Sequence, residues 1–96
     1  MRVIARPALR NFAKKHAEAE SSLNAWYHIM KAAKVKSPNE LRNVFPEASF
    51  LGDGRTVFNV GSNRIETRIR YDIGVVFILD VMTHAEYDRQ NVKRKR

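Results

Sequence analysis

Apolar positions change period along this chain, and the changes mark out its elements. Val3 and Ile4, both β-branched, predict a first strand within residues 1–5. Pro7 suits the first turn of a helix. Leu9, Phe12, Ala13 and His16 then recur at i, i+3, i+4 and i+7, a helical stripe. Leu23, Trp26, Tyr27, Met30 and Lys34 repeat that spacing, so a second helix is expected over residues 19–34. Ala25, Ile29, Ala32 and Ala33 widen its apolar surface. Joined by a brief link, the two helices make an αα-hairpin. Trp26, the one tryptophan, is expected in the core, and His16 and His28 at helix boundaries or on the surface.

Ser37-Pro38-Asn39-Glu40 has the S-x-x-E spacing of a capping box, with proline at the first helical position. The short helix it opens must stop before Pro46. Phe50 and Leu51 suggest a brief strand, and Gly52-Asp53-Gly54 a turn. From Arg55 the period becomes two. Thr56, Phe58 and Val60 alternate with Arg55, Val57 and Asn59, and Gly61-Ser62-Asn63 makes a turn. Ile65, Thr67, Ile69 and Tyr71 then alternate with Arg64, Glu66, Arg68 and Arg70. That is an antiparallel strand with one buried and one charged face. After the turn Asp72-Ile73-Gly74, residues 75–82 are almost continuously apolar and read as a central strand. Thr83 and Glu86 form a second capping box, so a closing helix starts at His84. His84, Tyr87 and Asp88 share one face of it. Helices first and strands later make an α+β domain. Its N-terminal helical hairpin packs on one face of an antiparallel sheet, and the arginines line the other face.

Ninety-six residues form a single domain, with a globular body over 1–88 and a basic tail over 89–96 that is expected to be flexible. Lys and Arg number 18 against 10 Asp and Glu, a formal charge of +8. Such an excess on a short chain points to a polyanionic partner. Five of the basic residues lie in the tail, yet the body remains positive without them. No cysteine is present, which excludes disulfides and thiolate metal sites. No apolar run has the length of a membrane span, so a cytoplasmic protein without membrane contact is expected. No metal or cofactor is expected either, because the three histidines are scattered and the phosphate-loop, dinucleotide and zinc motifs are missing.

Arg64, Arg68 and Arg70 can cradle phosphate oxygens, which guanidinium forks match in shape. They can equally be a solvated face balanced by Glu66. Beside them, an imidazole and a phenol point to RNA, because RNA carries its own nucleophile in the 2′-hydroxyl. His84 can take or give a proton near neutral pH. An arginine can stabilise the added charge, Tyr87 can stack on a base or relay a proton, and Asp88 can orient His84. Arg89 and Lys93 of the tail extend the basic surface.

The segments Thr56-Val57-Phe58-Asn59-Val60-Gly61-Ser62-Asn63 and Val81-Met82-Thr83-His84-Ala85-Glu86-Tyr87-Asp88 resemble the HigB toxins of bacterial type II toxin–antitoxin modules. Those toxins fall within the RelE-like group of mRNA interferases. Met1-Arg2-Val3-Ile4, Ala25-Trp26-Tyr27 and residues 40–46 extend the likeness over nearly all of residues 1–88. The resemblance implies a RelE/ParE-like α+β toxin that cuts translated mRNA in the ribosomal A site. It also implies a HigA-type antitoxin with a helix-turn-helix domain, and operator DNA bound only through the toxin–antitoxin complex. His84, Tyr87 and Asp88 fall on the family's terminal motif, and Arg64 on the basic position after the turn. Three departures stand out: Ser62 replaces a glycine, the stretch before Arg64 is short, and Leu79 stands where an arginine is common. Two other functions fit the same residues. One is a non-catalytic basic module that binds RNA or ribosomes; the other is a ParE-like toxin acting on a protein target such as gyrase.

Overall fold

A computed structural model of the chain describes the backbone of residues 1–94 and the side chains of these residues except Arg6 and 91–94. A first strand, β1 (Arg2–Ile4), leads into helix α1 (Arg6–Lys15), a single 3-10 turn (Ala17–Ala19) and helix α2 (Glu20–Ala32). Helix α3 (Pro38–Val44) follows, then strands β2 (Ser49–Gly52), β3 (Arg55–Val60), β4 (Asn63–Arg70) and β5 (Val75–Thr83), and a closing helix α4 (His84–Arg94). The spacing of Leu9 and Phe12 on α1, and of Leu23, Trp26 and Met30 on α2, buries one stripe of each helix. These side chains meet Phe58, Val60, Ile65, Ile69, Val76 and Ile78 from one face of the sheet in a single core. Trp26 packs edge-on against Phe58 at 5.3 Å. His16 ends α1 and stacks on Phe12 at 4.4 Å.

The five strands form one sheet in the order β1-β5-β4-β3-β2. Neighbours among β2 to β5 are antiparallel, but β1 lies parallel to β5, with Arg2 opposite Val75 and Ile4 opposite Phe77. The sheet is therefore mixed rather than wholly antiparallel. The two paired strands come from opposite ends of the chain, and local alternation carries no information about which edge a distant strand joins, or in which direction. The Met1 amino group donates to the carbonyls of Lys31 (3.0 Å) and Ala33 (2.6 Å), holding β1 against the end of α2. Those carbonyls lie at a helix C-terminus, where the last turn has no further intrahelical N–H to bond them.

Both N-caps form, but only the Thr83 box is reciprocal, since the Glu40 carboxylate reaches the N–H of Lys36, one residue before the Ser37 cap. Glu40 N–H donates to Ser37 Oγ at 3.2 Å, and Glu40 Oε2 accepts from Lys36 N–H at 2.8 Å. Glu86 N–H donates to Thr83 Oγ1 at 3.2 Å, and Thr83 N–H donates to Glu86 Oε1 at 3.1 Å. The Thr83 box fixes α4 to the end of β5 and thereby sets the position of His84. Beyond it, α4 carries the backbone helically through Arg94, so the basic stretch continues that helix; residues 95 and 96 of the tail lie outside the described residues.

Candidate active site

The β3–β4 hairpin and the start of α4 meet at one end of the sheet. The hairpin turn needs a positive φ only at Gly61 (+59°), the first of its two central residues, as in a type II′ turn. Ser62 therefore takes the place of glycine without backbone strain. Its carbonyl accepts a hydrogen bond from His84 N–H at 2.9 Å, tying the turn to the first residue of α4.

Arg64 lies on the sheet face opposite the helices. Its Nη1 donates to the Asn63 carbonyl at 2.9 Å, and its Nη2 lies 2.8 Å from His84 Nδ1. His84 Nε2 is 3.0 Å from Asp88 Oδ2, one helical turn further on. A guanidinium only donates, so Nδ1 must present its lone pair. The ring proton then resides on Nε2 and is donated to Asp88. Three residues brought in by two separate elements thus form one chain, Arg64–His84–Asp88, which selects a single imidazole tautomer. His84 and Asp88 remain more than half exposed, at 56% and 57% of their side-chain surface. A ligand can reach both from solvent. Tyr87, on the same helix face, is half-buried.

The remaining arginines do not converge there. Arg68 is exposed four residues along β4, about 13 Å from Arg64 at a strand's rise. Arg70, at the far end of β4, is bound by Asp72 in a forked pair of 3.0 and 2.7 Å. Each holds the other ionised: the hydrogen bond to Asp72 raises the Arg70 guanidinium, and the hydrogen bond from Arg70 lowers the Asp72 carboxyl. Between Arg64 and Arg68 stands Glu66, buried to 6% exposure and 3.3 Å from Arg55. A carboxylate therefore interrupts the guanidinium row. Sequence alternation placed Glu66 on this face, but its ion pair follows from the β3–β4 register. Leu79 is the extra residue of a β-bulge, left over between the pairs Glu66–Asp80 and Thr67–Ile78. It is exposed to 48%. Arg89 is exposed five residues after His84, on another side of α4. The Lys93 side chain lies outside the described residues.

Among the described residues, no group of three or more His, Asp or Glu is placed to hold a metal ion. No described helix is long and apolar enough to cross a membrane.

A family model for the HigB toxin, the RelE-like toxic component of a toxin–antitoxin system, matches residues 19–90. The mRNA interferase toxin HigB of Escherichia coli K12 is 33% identical over 92 residues, which cover 92% of this chain and 88% of that protein. The mRNA interferase HigB of Shigella flexneri matches to the same extent. A more divergent mRNA interferase HigB, from Escherichia coli O6:H1, is 27% identical over 93 residues, covering 93% of this chain and 90% of its own. The matched region takes in Trp26, the Gly61-Ser62 turn, Arg64 and the His84 helix start. The chain belongs to the HigB family of RelE-like toxins, the toxic partners in toxin–antitoxin systems.

Proposed function

We propose that this chain is an endoribonuclease toxin that cuts mRNA during translation, with His84 at the reacting linkage. The observation that carries the reading is the Arg64–His84–Asp88 chain, held open to solvent at the end of the sheet. A second support is that the HigB relatives are named as mRNA interferases.

In the free protein, Arg64 occupies the Nδ1 lone pair. A phosphate is a stronger partner for a guanidinium than a neutral imidazole is. RNA entering the site draws the Arg64 fork onto phosphate oxygens and releases Nδ1. The freed nitrogen can accept the 2′-hydroxyl proton while Asp88 keeps hold of Nε2–H. The 2′-oxygen then bonds to phosphorus and the bond to the 5′-oxygen breaks. Arg64 faces the charge that builds on the phosphorane. His84 and Tyr87 divide between them the two proton transfers, from the 2′-oxygen and to the departing 5′-oxygen. The products are a 2′,3′-cyclic phosphate and a 5′-hydroxyl end. The balance closes without a metal or cofactor.

Arg68, Arg89 and Lys93 supply salt-sensitive attraction to the RNA backbone and the ribosome, and Arg70 does so at the far end of the strand. The antitoxin is of the HigA type, with a helix-turn-helix domain, and operator DNA is bound through the complex. Cells keep the protein in the cytoplasm, where translation occurs.

The test is a reconstituted translation reaction on a defined transcript. Wild-type protein should leave fragments with cyclic-phosphate ends only when ribosomes are translating, and His84→Ala should lower the rate at least about a hundredfold. Intact transcripts with translation still arrested would replace this reading with a binding module. Cutting undiminished in His84→Ala would remove the proposed site.

A further inference from the structure

Strand β5 presents one aromatic side chain to the sheet face opposite α1 and α2. Val76 and Ile78, on either side of Phe77, belong to the core beneath the helices, so Phe77 points the other way. The same parity places Arg2 and Ile4 of β1 on that face, because Val3 packs against the core. Arg68 and Arg70 of β4 join them, on either side of the core residue Ile69. The ladders set these side chains in rows. Phe77 is opposite Ile4 on one neighbouring strand and Arg68 on the other, and Val75 is opposite Arg2 and Arg70. Arg2 and Arg70 are therefore diagonal neighbours of Phe77. Asp72 engages Arg70, so Arg2 and Arg68, both exposed, flank a partly exposed ring. Arg64 lies on this same face, and Arg68 is about 13 Å from it at a strand's rise, with Phe77 alongside. Glu66, between the two arginines, is buried and paired with Arg55 at 3.3 Å. An RNA strand covers that length in a few nucleotides.

We infer that Phe77 is a stacking platform for an unpaired base of the transcript, a few nucleotides from the cut linkage, with Arg2 and Arg68 on the flanking phosphates. The inference rests on the RNA-cutting reading and adds a second point of attachment to it. Single-stranded nucleic acid is held by this combination, a cationic track along the backbone and an aromatic ring under a base. Every base has a π-face, so the ring accepts all four and adds affinity without sequence preference. Bases of a duplex remain stacked on one another and leave none for the ring, so the site favours unpaired message over folded RNA. Strand alternation by itself would set a polar residue at position 77, since Arg68 and Arg70 mark the same face as solvated. A ring among guanidiniums departs from that pattern.

The experiment measures binding of a short single-stranded RNA to full-length protein carrying His84→Ala, so that bound RNA stays whole. Phe77→Leu, added to it, keeps apolar bulk and removes the ring. Phe77→Trp keeps a ring and supplies a surface fluorophore, while Trp26 stays buried as a constant background. Phe77→Leu should weaken binding about fivefold or more. Its salt dependence should keep the parent slope, whereas Arg68→Gln should lower that slope by about 0.7. Emission of the Phe77→Trp protein should be quenched on binding. Abasic nucleotides moved along the strand should remove the quench at one position. Equal affinity of Phe77→Leu and its parent, with matching thermal midpoints, overturns the inference. So does quenching as strong with duplex RNA, or none with the single strand in the Phe77→Trp protein. Quenching by ribosomes alone also overturns it, because a ribosomal base would then occupy the ring. The underlying cleavage reading fails by a different result: transcripts still cut by His84→Ala in the translation reaction, whatever the ring does.

Discussion

Replacing Asp88 by asparagine tests how His84 is held. The carboxylate oxygen lies 3.0 Å from Nε2, and both side chains are more than half exposed. Asparagine keeps the shape and can still accept the Nε2 proton through its carbonyl, so the tautomer that leaves Nδ1 open is retained. What disappears is the charge. For an exposed pair one helical turn apart, that charge contributes about 0.3–0.5 kcal/mol to the helix, and exposed pairs rarely exceed about 1 kcal/mol. The same ceiling applies to an imidazolium forming during the reaction, which is about a fivefold change in rate. Asp88→Asn should therefore cut two- to fivefold more slowly than wild type, against the hundredfold or greater loss expected for His84→Ala. The assay is the initial rate of fragment formation at fixed ribosome and transcript concentration. Thermal unfolding of the same preparations should show a near-unchanged midpoint. If Asp88→Asn proved as inert as His84→Ala with its fold intact, the carboxylate would be reacting with RNA itself, and its assignment as an orienting group would be wrong.

Thr83→Ala removes the acceptor for Glu86 N–H and should cost α4 about 1 kcal/mol, read as faster amide exchange over residues 86–90. The hydrogen bond from Thr83 N–H is the main reason the Glu86 carboxyl sits below its ordinary value of 4.5. Its folded value being depressed, its contribution is whole above that pH and is lost as pH falls through the folded value. Protection of α4 should thus decline on acidification below about pH 4.5, and decline less in Glu86→Gln. Gly54 has φ +76°, and a Cβ there would lie 2.5 Å from the Ile69 carbonyl oxygen, whereas Gly61 has open space around it. Gly54→Ala should lower stability in denaturant melts by at least about 1 kcal/mol more than Gly61→Ala, whose cost is the left-handed backbone alone; equal losses would show that the close approach is relieved. Leu41 is wholly buried, and Leu41→Ala should cost about 2–5 kcal/mol in the same melts.

The helices were legible because their signals are local: stripes at i, i+3 and i+4, and N-caps at Ser37 and Thr83 whose partners lie three residues away. The alternation around Arg64 to Tyr71 correctly separated a buried face from a charged one, since side-chain direction in a strand depends only on parity. Other features required the third dimension. The parallel seat of β1 beside β5, the bulge that sets Leu79 apart, and the Arg55–Glu66 pair all depend on register between strands. The separation of the arginines has a local cause: they share one face, but strand rise spreads them along it and Asp72, two residues on, holds Arg70 at the far end. Sequence spacing alone could bring His84 and Asp88 together, because a helix closes that distance by itself. The meeting of His84 with Arg64, twenty residues apart, was decided by the hairpin that folds β4 back onto the start of α4. Periodicity encodes which way a side chain points; only the packed sheet determines what it points at.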